Sequence, residues 1–291
     1  MKSNKLIYFS ALFIIFSLTS LKYDNKNNTK FISIETLNKK GSLKIIIKGL
    51  GGYQEECVEF DLQNNTSDTL FIEIEPGRRL ISKDTSIQDI LIVKRKRFKL
   101  FPRIRKKIKG FGFCCQSDNH APYKDAIFNI GYLAPTDWIN LAEVINKNNF
   151  PTSAIQSAVW VLSNNHKPSS IYTEDIASIY PLRKVIADIK GIEIPWYSLI
   201  YKTDTARLFS NKPEKIIGNF KYRVKNNSVI TISIRDKKGN IVKKLVKEEA
   251  KGPGEYDLDI NMNILKWPKG EYAIYVYQDY SKLIKRKKFI L

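Results

Sequence analysis

The spacing of hydrophobic positions changes period twice along the chain. Between residues 31 and 115 they fall in short β-branched or alternating runs: Ile45-Ile46-Ile47, residues 58–62, 70–74 and 90–93, and residues 108–113. Runs of this kind, about ten residues apart with polar turns between them, predict an antiparallel β-sandwich over residues 31–118. The turn cluster Asn64-Asn65-Thr66-Ser67-Asp68 predicts that 58–62 and 70–74 pair as a hairpin. Pro76-Gly77 ends the second of these strands.

A helical period takes over from Pro135 to Gly191, and the helical domain is set at residues 119–191. Thr136 or Asp137 is positioned to cap a helix carrying Trp138, Leu141, Ala142 and Ile145 on one face. Pro151-Thr152 opens a second helix with Ile155, Ala158, Val159 and Leu162 in helical register. Thr173 is placed to cap a third segment, interrupted at Pro181, with an apolar stripe Leu182, Val185, Ile186, Ile189 and a stop at Gly191. These helices are short and need a partner surface.

Residues 192–215 read as a connector with aromatic anchors Trp196, Tyr197 and Tyr201. Strands then return. Ile230, Ile232 and Ile234 alternate with polar residues, and turns follow at residues 236–240, 252–254 and 268–270. The chain is thus mainly β with a helical middle: a β-sandwich, a short α-helical segment, and a second β-sandwich over residues 216–291.

The final segment carries an ordered pattern. Ile232-Ser-Ile-Arg-Asp-Lys-Lys-Gly239-Asn-Ile-Val242 is followed by Gly252-Pro-Gly254-Glu-Tyr256, then Pro268-Lys-Gly270-Glu-Tyr272, then Lys285-Arg-Lys-Lys288 before Phe289-Ile-Leu291. Residues 216–291 in this order resemble the small Ig-like domains at the C-termini of exported bacterial proteins, of the flagellar hook-cap type or the type IX secretion sorting type. The resemblance implies an Ig-like β-sandwich, and both halves of the β portion are expected to be of that kind. It implies either a structural module or an address read by the secretion machinery at the outer membrane.

The N-terminus points the same way. Lys2 and Lys5 precede residues 6–18, which are apolar except for Ser10 and Ser17, and the run ends among the small residues Ser17, Thr19 and Ser20. This is the layout of a secretory signal peptide, residues 1–20. A spanning helix needs about 20 apolar residues, so no transmembrane span is expected after cleavage; an uncleaved membrane anchor is the alternative. Residues 21–30 are a polar, Asn-rich flexible spacer. The expected location is outside the cytoplasm: cell surface or extracellular, with the periplasm as the alternative.

Charge adds one candidate surface. The 291 residues include 49 Lys+Arg against 29 Asp+Glu, a formal charge of +20. Residues 94–109 hold ten cations and no acid: Lys94, Arg95, Lys96, Arg97, Lys99, Arg103, Arg105, Lys106, Lys107 and Lys109. Such a stretch either binds an acidic glycan or other polyanion, or serves as a solvated, aggregation-resistant strand edge. No motif of specific nucleic-acid recognition accompanies it.

Only 3 Cys and 2 His are present, which excludes a disulfide-dense scaffold and argues against a His-rich metal enzyme. Adjacent strand residues point to opposite faces, so one of Cys114 and Cys115 can face Cys57 and the other is left over. Ala154-Ile-Gln156-Ser-Ala-Val-Trp160 resembles the glutamine block of bacterial thioester domains, where a Gln joins an upstream Cys. That resemblance implies a surface adhesin with Cys114 or Cys115 as the thiol and Gln156 as the acyl donor. No P-loop, dinucleotide fingerprint or zinc motif occurs, and no cofactor or metal is expected. The function expected is a non-catalytic, exported binding or presentation protein.

Overall fold

The structure, a computed structural model, describes residues 30–202 and 209–291, and Phe31–Leu291 form one unit. The signal segment and residues 21–29 of the spacer lie outside the described residues. The described chain opens with β1 (Ile32–Ser33) and α1 (Ile34–Lys39), whose cap Ser33 accepts from the Glu35 amide. Then come β2 (Leu43–Leu50), β3 (Gln54–Asn64), β4 (Leu70–Ile74) and β5 (Arg78–Ser82). After these run β6 (Ile90–Ile92), β7 (Lys96–Leu100), β8 (Arg105–Cys114) and β9 (Lys124–Leu133).

The first β region is not the expected Ig-like sandwich. Six strands close into a barrel in the order β2-β3-β8-β6-β5-β9, and β1-β4-β7 form a separate sheet. Closure comes from β9, which pairs with both β2 and β5 and so removes the open edges a sandwich would keep. This strand falls in the stretch read as the start of the helical segment. Its signal there is short, since Ala126 and Phe128 are its fully buried apolar side chains. Small residues on β8 also permit closure: a Cβ on Gly110 would lie 2.5 Å from Phe60, and one on Gly112 2.5 Å from Ile90.

The hairpin expected between 58–62 and 70–74 does not form. β3 pairs with β2 and β8, whereas β4 pairs with β1 and β7. Asn64 is the reason. Its carboxamide nitrogen donates to the carbonyls of Asp68 (2.8 Å), Leu100 (3.0 Å) and Phe101 (3.1 Å). The polar cluster therefore turns the chain out of the barrel into the second sheet. Arg78, 1% exposed, joins α1 to the barrel by pairing with Glu75 (3.0 Å) and Glu35 and donating to the Gly131 carbonyl (2.8 Å).

The helical middle holds α2 (Thr136–Lys147), α3 (Thr152–Ser163) and α4 (Tyr180–Lys190), with 3-10 turns at Pro168–Ser170 and Ile176–Ile179. Two capping expectations are corrected. α2 is capped by the backbone at Pro135, not by a Thr136 or Asp137 side chain; Asp175, not Thr173, accepts from the Ser178 amide. Pro181 lies in the first turn of α4, where a missing N–H costs no helical bond. Gly191 ends α4 in the left-handed conformation, φ 63°. Leu141, Ile155 and Ile186 pack with Leu91, Phe113 and Cys115 on the outer wall of the barrel, burying the stripes that such short helices cannot bury alone.

The last region comprises β10 (Tyr197–Tyr201), β11 (Pro213–Val224), β12 (Ser228–Asp236), β13 (Ile241–Lys251), β14 (Gly254–Asn263), β15 (Glu271–Gln278) and β16 (Lys282–Ile290). They form two antiparallel sheets, β10-β11-β14 and β13-β12-β15-β16, which share a core of Ile216, Phe220, Ile232, Ile260, Ile274 and Phe289. Part of the stretch read as a connector is thus a strand: β10 pairs with β11 from Tyr197↔Gly218 to Tyr201↔Pro213. Arg183 of α4 ties this region to the helices, donating to the Tyr197 carbonyl (3.1 Å) and Ser198 Oγ (3.3 Å).

Candidate functional site

The ten cations of residues 94–109 occupy β7, β8 and the loops beside them, and the fold brings acids to most of them. Asp61 and Glu59 on β3 sit diagonally across from Arg105 and Lys107. Arg105 Nε donates to Asp61 at 2.7 Å and Lys107 pairs with Glu59 at 2.8 Å. Lys109 (3.2 Å) and Lys96 (3.9 Å) share Glu56. Arg95 (3.1 Å) and Arg97 (3.2 Å) share Glu73, and Arg95 also meets Glu143 of α2. The Arg105 guanidinium holds the Asp61 carboxyl below the ordinary carboxylate range.

The other four use neutral partners. Lys94 Nζ donates to the Ile145 and Asn148 carbonyls at 2.7 Å each, capping the C-terminal end of α2, where a cation is favoured. Burial lowers its pKa. Arg103 donates to the Asn65 carbonyl at 2.6 Å. Lys99 stands 5.3 Å from the Phe71 ring and Lys106 5.5 Å from the Phe98 ring. The stretch is therefore a cross-linked part of two sheets, β7 in the outer sheet and β8 in the barrel wall, more than a free cationic face. Its acids come from neighbouring strands, out of sight of a window 16 residues wide.

The structure brings Gln156 to the cysteine pair. Gln156 Nε2 donates to the Cys114 carbonyl at 2.8 Å, and Gln156 Oε1 is buried without a partner. The two thiols point opposite ways, as a strand requires: Cys114 joins the barrel core with Cys57, and Cys115 joins the helical core. All three thiols are free and buried. Burial pushes the Cys57 thiol up to about 12 and raises Cys114 and Cys115 as well, so each is a protonated, poor nucleophile at neutral pH.

A Ser–His pair that the sequence does not show is formed at the end of α3. Ser117 Oγ and His166 Nε2 are 2.9 Å apart, and the Ser117 amide donates to Asn164 Oδ1 at 3.2 Å. The imidazole stacks on Phe209 (3.8 Å between ring centres, 27°). Burial lowers its pKa to about 4, so it is neutral at pH 7. Its Nδ1 is buried with no partner, so no acid orients the ring as a catalytic triad requires. Ser117 is 2% exposed, and the pair fastens the loop after β8 to the end of α3. His120 lies apart, in a short bridge with Ile87. Among the described residues no group of three His, Cys, Asp or Glu gathers for a metal, and no helix is long and apolar enough to cross a membrane.

Uncompensated charge lies elsewhere. Residues 213–291 hold 18 Lys+Arg and 9 Asp+Glu. Their ion pairs are Lys251–Glu249 (2.5 Å) and Lys288–Glu271 (3.2 Å). Five cations without such a pair line one cleft of about 510 Å³ between β11 and β16. Alternation along β11 gives the signal: Lys221, Arg223 and Lys225 are exposed, while Tyr222 and Val224 are buried.

No protein-family model matches the chain, and no curated protein sequence does. Among solved structures, a β-glucosidase from Kluyveromyces marxianus aligns over 80% of this chain and 44% of its own length, at 10% identity and a TM-score of 0.19. The CBM51-2 and INT domains of ZmpB from Clostridium perfringens align over 83% of this chain and 77% of theirs, at 14% identity and a TM-score of 0.16. Likeness this slight assigns neither a fold family nor an activity.

Proposed function

We propose that this chain is an exported cell-envelope or surface protein that works by binding or presentation rather than catalysis. One observation carries the reading: a leader-like segment in residues 1–20 is followed by a β-rich body ending in a two-sheet module built on the D-x-x-G and G-E-Y turns. The turn at Asp236–Asn240 supports the Ig-like assignment of that module, with Asp236 accepting from the Asn240 amide at 2.9 Å and Gly239 at φ 90°. Buried, protonated thiols and a Ser117–His166 pair whose imidazole has no acid partner favour a scaffold over a reaction centre.

The module is read either as a structural end-piece or as a sorting address for the secretion machinery. Deletion separates the two, and because β10 belongs to the same sheet as β11 the deletion starts at residue 192. Retention of the shortened chain in the periplasm supports the address; unchanged release contradicts it.

A second reading rests on Gln156 lying against Cys114. In it, a thiol sulfur of Cys114 or Cys115 bonds to Gln156 Cδ, the C–N bond breaks, and the thiol proton leaves with the amide nitrogen as ammonia. The native mass would then fall by one ammonia, and hydroxylamine would cleave the bond. An intact mass equal to the unmodified chain rejects it.

A further inference from the structure

We propose that the open slot between β11 and β16 is a binding site for an acidic polysaccharide. Strand pairing creates the slot. β10 covers β11 only as far as Gly218, beyond which β11 is held by β14 alone; β16 pairs only with β15. Two free strand edges, one from each sheet, therefore border the same cleft of about 510 Å³.

The chemistry of the slot is one-sided. Lys221, Arg223 and Lys225 line it from the β11 side, Lys282 and Lys285 from β16, and Glu255 is the one carboxylate among its lining residues. None of the five cations forms an ion pair among the described residues. Alternate residues of a strand are about 7 Å apart, so Lys221, Arg223 and Lys225 make a row of regularly spaced charges along and just past the end of β11, and the β16 cations line the same cleft. A lone small anion meets one or two of these. A polymer with an acidic group on successive units meets both rows at once.

A cationic edge also discourages strand-to-strand aggregation. That role needs charges that face solvent. It does not need charges from two different sheets converging over one concavity. The contrast with residues 94–109 is direct: there six of ten cations have carboxylate partners, and here the field is left open to a ligand. The choice of polysaccharide over nucleic acid rests on the export reading above, since uronate-, sulfate- and phosphate-bearing glycans are the polyanions met outside the cytoplasm.

The test uses the purified full-length protein without its first 20 residues at moderate salt. Polygalacturonate and heparin are the acidic probes, dextran the neutral one and a single-stranded DNA oligonucleotide the competing polyanion. A slot variant (Lys221→Gln, Arg223→Gln, Lys282→Gln, Lys285→Gln) is compared with a control of equal net charge at exposed lysines elsewhere (Lys40→Gln, Lys44→Gln, Lys124→Gln, Lys147→Gln). Salt-sensitive binding to an acidic glycan, weakened more than about tenfold in the slot variant and less than about twofold in the control, is the expected result. Equal weakening in both variants, absence of glycan binding, or DNA held more tightly than either glycan through the same four cations would overturn it. Cellular location is read separately: a cytosolic chain that still binds glycan through the slot removes the export reading alone.

Discussion

Gln156 and Cys114, on a helix and a strand 42 positions apart, are joined by a 2.8 Å hydrogen bond from the carboxamide nitrogen to the backbone carbonyl. The bond lies where α3 meets the barrel wall, and both residues are buried. It supplies a partner to a carbonyl in a place water does not reach.

Gln156→Leu leaves that carbonyl unpartnered and is expected to cost about 1–3 kcal/mol in urea unfolding. Gln156→Glu is expected to cost more at pH 7 than at pH 5, because a buried carboxylate facing a carbonyl oxygen is relieved by protonation. Equal losses at the two pH values would argue that the site is hydrated.

Arg78 offers a larger effect. Its guanidinium is enclosed by Glu75, Glu35 and the Gly131 carbonyl. Arg78→Met leaves two carboxylates facing an apolar side chain and is expected to destabilise by about 3–5 kcal/mol. Calorimetric melting of wild type and variant measures it, and a loss under about 1 kcal/mol would place the carboxylates in water.

The first β region shows what the sequence displays and what it hides. Strands rich in Ile, Val and Phe were legible from their alternation, and α2 and α3 from their apolar stripes. The barrel was not, because closure depends on β9, whose inward side chains Ala126 and Phe128 make only a short alternation. The route from β3 to β4 is hidden from the sequence because Asn64 uses carbonyls 36 and 37 residues away, and no local turn rule contains them. The same blindness to distance hid the carboxylates of β3 and β4 from the basic stretch, and Ser117 from His166. The slot between β11 and β16 was partly visible, since Lys221, Arg223 and Lys225 alternate, but its second row comes from 60 residues onward.

Barrel closure itself is testable at Gly112. A Cβ there would lie 2.5 Å from the Ile90 side chain and 3.2 Å from the Leu91 carbonyl. Gly112→Ala is expected to lower stability by about 1–3 kcal/mol through overpacking, and Ile90→Leu in the same chain, which removes the Cγ2 methyl that the new Cβ meets, is expected to restore part of it. No recovery in the double variant would mean the wall does not pack as described.

His166 predicts a pH effect of definite sign. Its folded pKa of about 4 lies below the ordinary value of 6.5, so the unfolded chain binds the proton first. The stability it contributes is present above pH 6.5 and is lost as pH falls toward 4. Melting temperature should therefore drop more steeply between pH 6.5 and 4 in wild type than in His166→Gln. Parallel pH profiles would show that the imidazole is freely protonated in the fold.

The most direct measurement of the central claim is the intact mass of the protein recovered from the cell envelope or the medium of the producing cell. The account predicts a chain found outside the cytoplasm and shorter at its N-terminus by about the 20 residues of a signal peptide. A full-length chain with Met1 in place, confined to the cytosolic fraction, would contradict it.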